Sequence, residues 1–156
     1  MEIIRGDHII KIDNDHAHIL DEWYVWVRKD ETRFYAQCEH KKLFRMRRTL
    51  HKLIVDAPEN MVVDHINGDG LDNRKSNLRV CSTSQNAMNR RVRSDSSTGI
   101  KGVTFDSRRT TGRLYRAQIK VDGKRIHLGS FFTADEARVA YFDASKKYHG
   151  EFGRTE

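Results

Sequence analysis

Long apolar runs are missing from this sequence. No stretch approaches the ~20 consecutive apolar residues of a membrane span, and the opening MEIIRGDH lacks the basic and apolar regions of a signal peptide, so a cytoplasmic protein is expected. Cysteine is scarce. Cys38 and Cys81 stand apart, neither in a CxxC pair, which points to a reducing compartment and away from a structural zinc site. Proline occurs once, at Pro58. There is also no amphipathic Lys-rich helix of the kind that lies on a membrane. The 156 residues suffice for one ordinary domain or two small ones, with 37% hydrophobic and 33% charged residues, a soluble globular composition with a modest core.

What the chain has in excess is positive charge, unevenly spread. The net charge is +7, yet residues 1–39 hold nine acidic and five basic side chains, and residues 99–156 hold seven and twelve. A polyanion is the natural partner of the later part, and nucleic acid is favoured over membrane. An excess of this size also fits a solubilising surface, so the motifs decide.

The most informative stretch is VVDHINGDGLDNRKSNLRVCSTSQNAMN, residues 62–89. An apolar run, Met61-Val62-Val63, delivers Asp64-His65 to the end of a strand. Asn67-Gly68 supplies a tight reversal, and Leu78 and Val80 mark a second strand. Ser82 with Gln85 three residues on has the form of a capping box, so a helix begins there and carries Asn86. A carboxylate and an imidazole on a strand, facing an Asn on a helix, suit metal-assisted phosphodiester chemistry. Asn67, Asp69, Asp72 and Asn73 are assigned mainly to turns.

Residues 8–48 read as an antiparallel β region, with HIIKI and AHIL as short apolar runs around a turn at Asp13-Asn14-Asp15, and WYVWV and RFYAQ as a hairpin. Trp23, Tyr24, Trp26, Phe34 and Tyr35 are expected in the core of that sheet, and residues 41–48 as a further strand. Thr49 resembles an N-cap before a short helix with Leu50, Leu53 and Ile54 on one face. His51 lies in that helix, where packing or capping is a better expectation than chemistry. Asp13, Asp15, His16 and His18 look like metal ligands, but a solvated turn explains them more simply, and His8 and His40 show no ligand spacing.

Residues 90–98, RRVRSDSST, read as a basic, Ser-rich linker between domains at 1–89 and 99–156. Beyond it lie three β patterns, GIKGVTFDS, GRLYRAQIKV and KRIHLGSF, the last two joined at Asp122-Gly123. Ala117, Ile119, Val121, Ile126 and Leu128 alternate with Arg116, Gln118, Lys120, Arg125 and His127. After Thr133, Ala137, Ala140, Tyr141, Ala144 and Tyr148 recur at helical spacing. The expected fold is α+β: a β-rich N-terminal region with the nuclease-like motif, then a three-stranded antiparallel sheet covered by one helix. The sheet's other face is polar, basic and free of acid on its second and third strands, and its width suits a DNA major groove.

Two resemblances rest on these residues. Asp64-His65, Asn67, Asp72-Asn73-Arg74, Asn77-Leu78-Arg79, Asn86 and Asn89 resemble the HNH endonuclease family, in the subtype of phage homing endonucleases. Gly102-Val103, Tyr115, Ala117, Ile119, Leu128-Gly129, Phe131, Thr133-Ala134, Glu136-Ala137, Ala140-Tyr141, Ala144 and Gly150 resemble the AP2 DNA-binding domain. The first implies a ββα-metal site in which His65 is the general base, Asp64 and Asn86 hold one Mg²⁺ or Mn²⁺, and Asn77 ties the loop and orients His65. Asn86 stands where many relatives carry His, which implies oxygen ligation. Arg90, one turn beyond Asn86, is expected to touch a phosphate. The second implies base reading by Lys101, Arg116, Gln118, Lys120, Arg125 and His127. Thr104 and Asp106 stand where plant relatives often carry Arg, so the target sequence is not inherited, and Arg108, Arg109 and Arg113 are placed to compensate through phosphates.

The resulting expectation is a homing-type DNA endonuclease, monomeric, nicking double-stranded DNA in the host cytoplasm if phage-encoded, with no membrane or protein partner. Its rivals are a non-catalytic DNA-binding regulator on an HNH scaffold and an RNA-directed or structure-specific nuclease.

Overall fold

The computed structural model describes residues 1–30, 33–108, 110–112 and 114–154. The fold is α+β, with small antiparallel sheets and a long C-terminal helix. It divides into two units, Met1–Thr83 and Ser84–Glu156. The helix that bears Asn86 thus groups with the second unit. Arg109 and Arg113 lie outside the described residues.

The first unit begins with a hairpin of β1 (Glu2–Arg5) and β2 (His8–Lys11), in which Ile3 pairs with Ile10 and both are buried. The strand EIIR is additional to the expected region. Residues 14–22 depart from the expected β pattern. They form a 3-10 turn, Asn14–His16, and one short helix, α1 (Ile19–Glu22). The apolar run AHIL is too short to distinguish strand from helix by periodicity, and Ile19 reaches the core from a helical turn instead.

WYVWV and RFYAQ form the hairpin of β3 (Trp23–Asp30) and β4 (Arg33–His40). Of the five aromatics expected in its core, only Trp23 is fully buried. Trp26, Phe34 and Tyr35 are half-buried, and Tyr24 is 64% exposed. The sheet is small and buries one face, so alternation sends Tyr24 outward while Trp23 and Val25 point in. Its third strand is β5 (Arg47–Thr49), which pairs with β4. Residues 41–46 are not strand as expected but a turn, with Arg45 at φ 57°. Helix α2 (Leu50–Ile54) follows directly and buries Leu50 completely. Next come β6 (Val62–His65) and β7 (Leu78–Cys81), paired in register from Val62–Cys81 to His65–Leu78. Ile10, Ile12, Val25, Cys38, Leu50, Val63 and Leu78 belong to one core that joins these elements. Cys38 and Cys81 are buried free thiols.

The second unit starts within α3 (Thr83–Met88), at its second residue. Its sheet has the order β10-β9-β8, with β8 at Val103–Phe105, β9 at Tyr115–Val121 and β10 at Lys124–Phe131. Asp122 and Gly123 both take positive φ, 48° and 79°, the geometry of a two-residue hairpin turn. Helix α4 (Ala134–His149) opens with a capping box: Glu136 N–H donates to the Thr133 hydroxyl, and the Glu136 carboxylate accepts from Thr133 N–H. Ala137, Tyr141 and Ala144 of α4 pack on Val103, Ala117 and Ile119. Tyr148, expected on this inner face, is 40% exposed, and His149 is buried in the last turn, where its Nε2 contacts Lys120 O at 2.8 Å.

Gly102 sets the approach of α4 to β8. It sits at φ +70°, and a Cβ there would strike the Tyr141 ring and come within 2.6 Å of Gln118 O. Gly102→Ala is therefore expected to destabilise the chain by about 2–4 kcal/mol through overpacking and backbone strain. Urea unfolding of the variant against the native chain measures this.

Candidate active site

The β6–β7 ladder places two ionisable residues at one end of a buried strand pair. Asp64 lies directly across from Arg79, and His65 across from Leu78. Asp64 and His65 are each only 6% exposed. The chain then reverses, with Gly68 at φ 71° and its N–H donating to His65 O at 2.8 Å.

The loop from 66 to 77 is closed by its own polar side chains. Asn67 Oδ1 accepts from Asp69 N–H at 2.8 Å, and Asp69 Oδ1 accepts from Leu71 N–H at 3.0 Å. Asn67 Nδ2 donates to Asp72 Oδ2, which Arg74 also grips through its Nη2 at 2.7 Å. The Arg74 hydrogen bonds hold the Asp72 carboxyl below its ordinary range, against the opposing effect of burial. Asn77 bridges the loop: its Oδ1 accepts from Asn67 N–H at 3.0 Å, and its Nδ2 donates to Asp72 O at 2.7 Å. The end of β2 holds the same loop from outside, since Lys11 N–H donates to Leu71 O and Asn73 N–H donates to Lys11 O. Gly70 rests on β4, where a Cβ would strike Phe34 O and lie 2.6 Å from the Tyr35 ring.

This clamping fixes Asn73, a residue that the turn reading undervalues. Asn73 is completely buried, and its Nδ2 donates to Gly70 O at 3.4 Å. With the amide so oriented, Oδ1 is the acceptor facing His65 Nε2 at 3.3 Å. The His65 proton is then on Nε2 and the ring's lone pair on Nδ1. Burial holds the His65 pKa below its ordinary value, although Asn73 and the carboxylates of Asp64, Asp69 and Asp72 pull it upward. That depression favours the neutral imidazole, the form a general base requires.

His51 also comes to this site. Its ring meets the His65 ring edge to face, centroids 5.0 Å apart and planes at 87°, and Tyr35 lies 6.3 Å from His65 on centroids. Burial, His65 and Lys52 push the His51 pKa down from 6.5 to about 4. The only signal of this in the sequence is a His next to Leu50 on a helix that follows a strand. Neither periodicity nor spacing connects positions 51 and 65.

Of the expected metal ligands, Asp64 is held by Arg79, whose Nε and Nη2 lie 3.0 and 2.8 Å from Oδ2. Asn86 is half-buried on α3 in the second unit, and Arg90 beyond it is exposed. In the first unit, donor atoms of Asp13, Asp15 and His16 lie within 4.8 Å of one another. Asp13 Oδ2 also accepts from Lys75 N–H at 2.7 Å, so this turn supports the loop that leads to Asn77.

In the second unit, Arg116, Lys120, Arg125 and His127 are exposed on β9 and β10, with Gln118 half-buried among them. Lys120 pairs with Arg125 across the ladder, and Gln118 with His127. Two cations directly opposed repel one another, a cost that an anion relieves. Lys101 is not part of that row. Its Nζ donates to Met88 O at the end of α3, and burial together with Arg154 pushes its pKa to about 8. Arg108 pairs with Asp106 at 3.1 Å.

Comparison with known proteins locates a family within this geometry. Residues 56–88, which hold β6, the loop, β7 and α3, match the HNH endonuclease family model. The chain is 28% identical over 110 residues to a protein named an uncharacterized HNH endonuclease of Acanthamoeba polyphaga mimivirus, covering 69% of this chain and 54% of that one. It is 25% identical over 97 residues to Protein 3.8 of Escherichia phage T7, covering 62% of this chain and 77% of the relative. The chain thus spans about half the length of the mimivirus relative. No solved structure matches it. Among the described residues, no helix is long and apolar enough to cross a membrane.

The depressed His51 pKa has a consequence for stability. Protonation favours the unfolded chain, where the imidazole titrates near 6.5, so this contribution is complete above pH 6.5 and lost as pH falls toward 4. Between those values the native chain should lose on the order of 3 kcal/mol more than His51→Phe. Urea unfolding of both proteins at stepped pH checks this.

Proposed function

We propose that this chain is a metal-dependent DNA endonuclease that uses His65 as its general base. The observation that carries the reading is the state of His65. It is a buried imidazole beside Asp64, held by burial toward its neutral form and facing Asn73 Oδ1 through Nε2 at 3.3 Å, inside the segment that matches the HNH endonuclease model. Nδ1 takes a proton from water as the water oxygen bonds to phosphorus. The bond from phosphorus to the 3′ oxygen breaks, and solvent protonates that oxygen. Asn77 keeps the loop closed around Asp72 and Asn67, and so keeps Asn73 on His65.

Asp64 and Asn86 are the residues that would hold a divalent cation. Their carboxylate and amide oxygens are hard donors that fit Mg²⁺ or Mn²⁺. Such an ion, when bound, stabilises charge on the phosphoryl group and the leaving oxygen. Arg79 already neutralises the Asp64 carboxylate, so a cation competes with a guanidinium for it. That pairing is the specific observation favouring a second reading, a DNA-binding regulator without turnover.

The substrate in this proposal is double-stranded DNA. The second unit, read as an AP2-like domain, binds through Arg116, Gln118, Lys120, Arg125 and His127, with Arg90 on a phosphate. A homing-type role, and nicking by a monomer with one active site per chain, complete the proposal.

Plasmid nicking with and without EDTA separates the two readings. The native chain should convert supercoiled plasmid to open circle with Mg²⁺ or Mn²⁺ and stop on chelation. His65→Ala should lower the rate at least 10³-fold with DNA affinity unchanged, roughly the size of a lost general base and its positioning. Cleavage by His65→Ala at the native rate would rule out the mechanism. Arg116→Ala and Arg125→Ala should each weaken DNA binding and reduce the salt slope of log Kd by about 1. Gel-shift titrations over a salt series measure both.

A further inference from the structure

We infer that His51 is a positioning residue for His65, an inference that rests on the reading of His65 as the base. Thr49 precedes α2 with the extended backbone of an N-cap, φ −85° and ψ 143°, yet its side chain makes no capping hydrogen bond. Its hydroxyl lies instead 3.0 Å from His51 Nε2. A capping group is thus diverted to hold one imidazole.

The other nitrogen of that ring gains nothing for stability. His51 Nδ1 is buried and has no hydrogen-bond partner. Leaving such an atom unsatisfied costs stability, because its desolvation is not offset. The neighbours Leu50 and Ile54 are core residues, so an apolar side chain suits position 51 better on packing grounds. A residue that spends a cap and buries an unpaired nitrogen calls for another explanation.

The explanation is the ring it touches. Asn73 holds the His65 ring at Nε2, and contact from another ring restrains its rotation further. The edge-to-face His51 ring stands 5.0 Å away and supplies that restraint, itself anchored by Thr49. The two holds act on different parts of the imidazole. Together they set the direction of its Nδ1 lone pair.

The test uses the full chain with supercoiled plasmid DNA and Mg²⁺ or Mn²⁺, comparing the native protein, His51→Ala, His51→Phe, Thr49→Val and His65→Ala. Misplacing a base by about an ångström costs on the order of 10²-fold in rate. His51→Ala should therefore lower the single-turnover cleavage rate by about 10–100-fold, with the DNA Kd from gel shift unchanged. His51→Phe keeps an aromatic edge without the Thr49 tether and should recover part of the rate. Thr49→Val leaves the ring and removes its tether, and should fall between. It also carries the test if His51→Ala does not fold. A second readout needs no cleavage: the His65 imidazole Cε1–H resonance should broaden or split in Thr49→Val and remain single in the native chain.

Native rates and a single sharp His65 resonance in Thr49→Val and His51→Ala, beside an inactive His65→Ala, would overturn this inference and leave the endonuclease reading standing. A folded His51→Phe as slow as His51→Ala would also overturn it, because the nitrogen and not the ring would then matter. Native-rate cleavage by His65→Ala, or none by the native chain, would overturn the endonuclease reading itself.

Discussion

The double hydrogen bond of the Asn77 amide is the constraint on which the rest of the first unit's site depends. One buried side chain joins Asn67 N–H to Asp72 O and so shuts a loop of polar residues into a rigid ring. An open loop would leave Asp72 and Asn73 in water, where neither could orient anything. Closed, it presents Asn73 to His65 in one amide orientation, and that orientation selects the imidazole tautomer. The orientation of His65 is thus set two hydrogen bonds away from it.

The site combines opposite electrostatic demands. His65 must be dry enough to remain neutral, yet it is surrounded by the carboxylates of Asp64, Asp69 and Asp72, which favour its charged form. Two of the three are paired with cations: Asp64 with Arg79 and Asp72 with Arg74. These pairs reduce the negative potential on the imidazole, and burial prevails. The basic sheet face of the second unit follows different physics. Its charges are exposed and mutually repelling, suited to long-range attraction of a polyanion and sensitive to salt.

Much of this was legible in the sequence where local rules suffice. Val62-Val63 and Leu78-Val80 around Asn67-Gly68 specify β6 and β7, and Asp122-Gly123 specifies the β9–β10 hairpin because those residues tolerate positive φ. The Thr133–Glu136 pair marks the start of α4. Local rules fail where contacts are distant. The four residues of β1 carry no distinctive pattern, and AHIL fits a strand as well as a helical turn. The meeting of His51, Asn73 and Tyr35 around His65 depends on how α2, the loop and β4 pack, which no spacing along the chain encodes. The bond from Lys101 to Met88 O is of the same kind: the residue type speaks for DNA, and its burial speaks for the end of α3.

Gly70 carries a last consequence. It has no functional group, but it is the point at which the loop lies flat on the β4 backbone, with Phe34 O beneath the place a methyl would occupy. Any side chain there lifts the loop from its support and moves Asn73 with it. Under the proposed mechanism, position 70 would tolerate little variation, because Asn73 holds His65. Sequence drift at this site is limited by thickness as well as by chemistry.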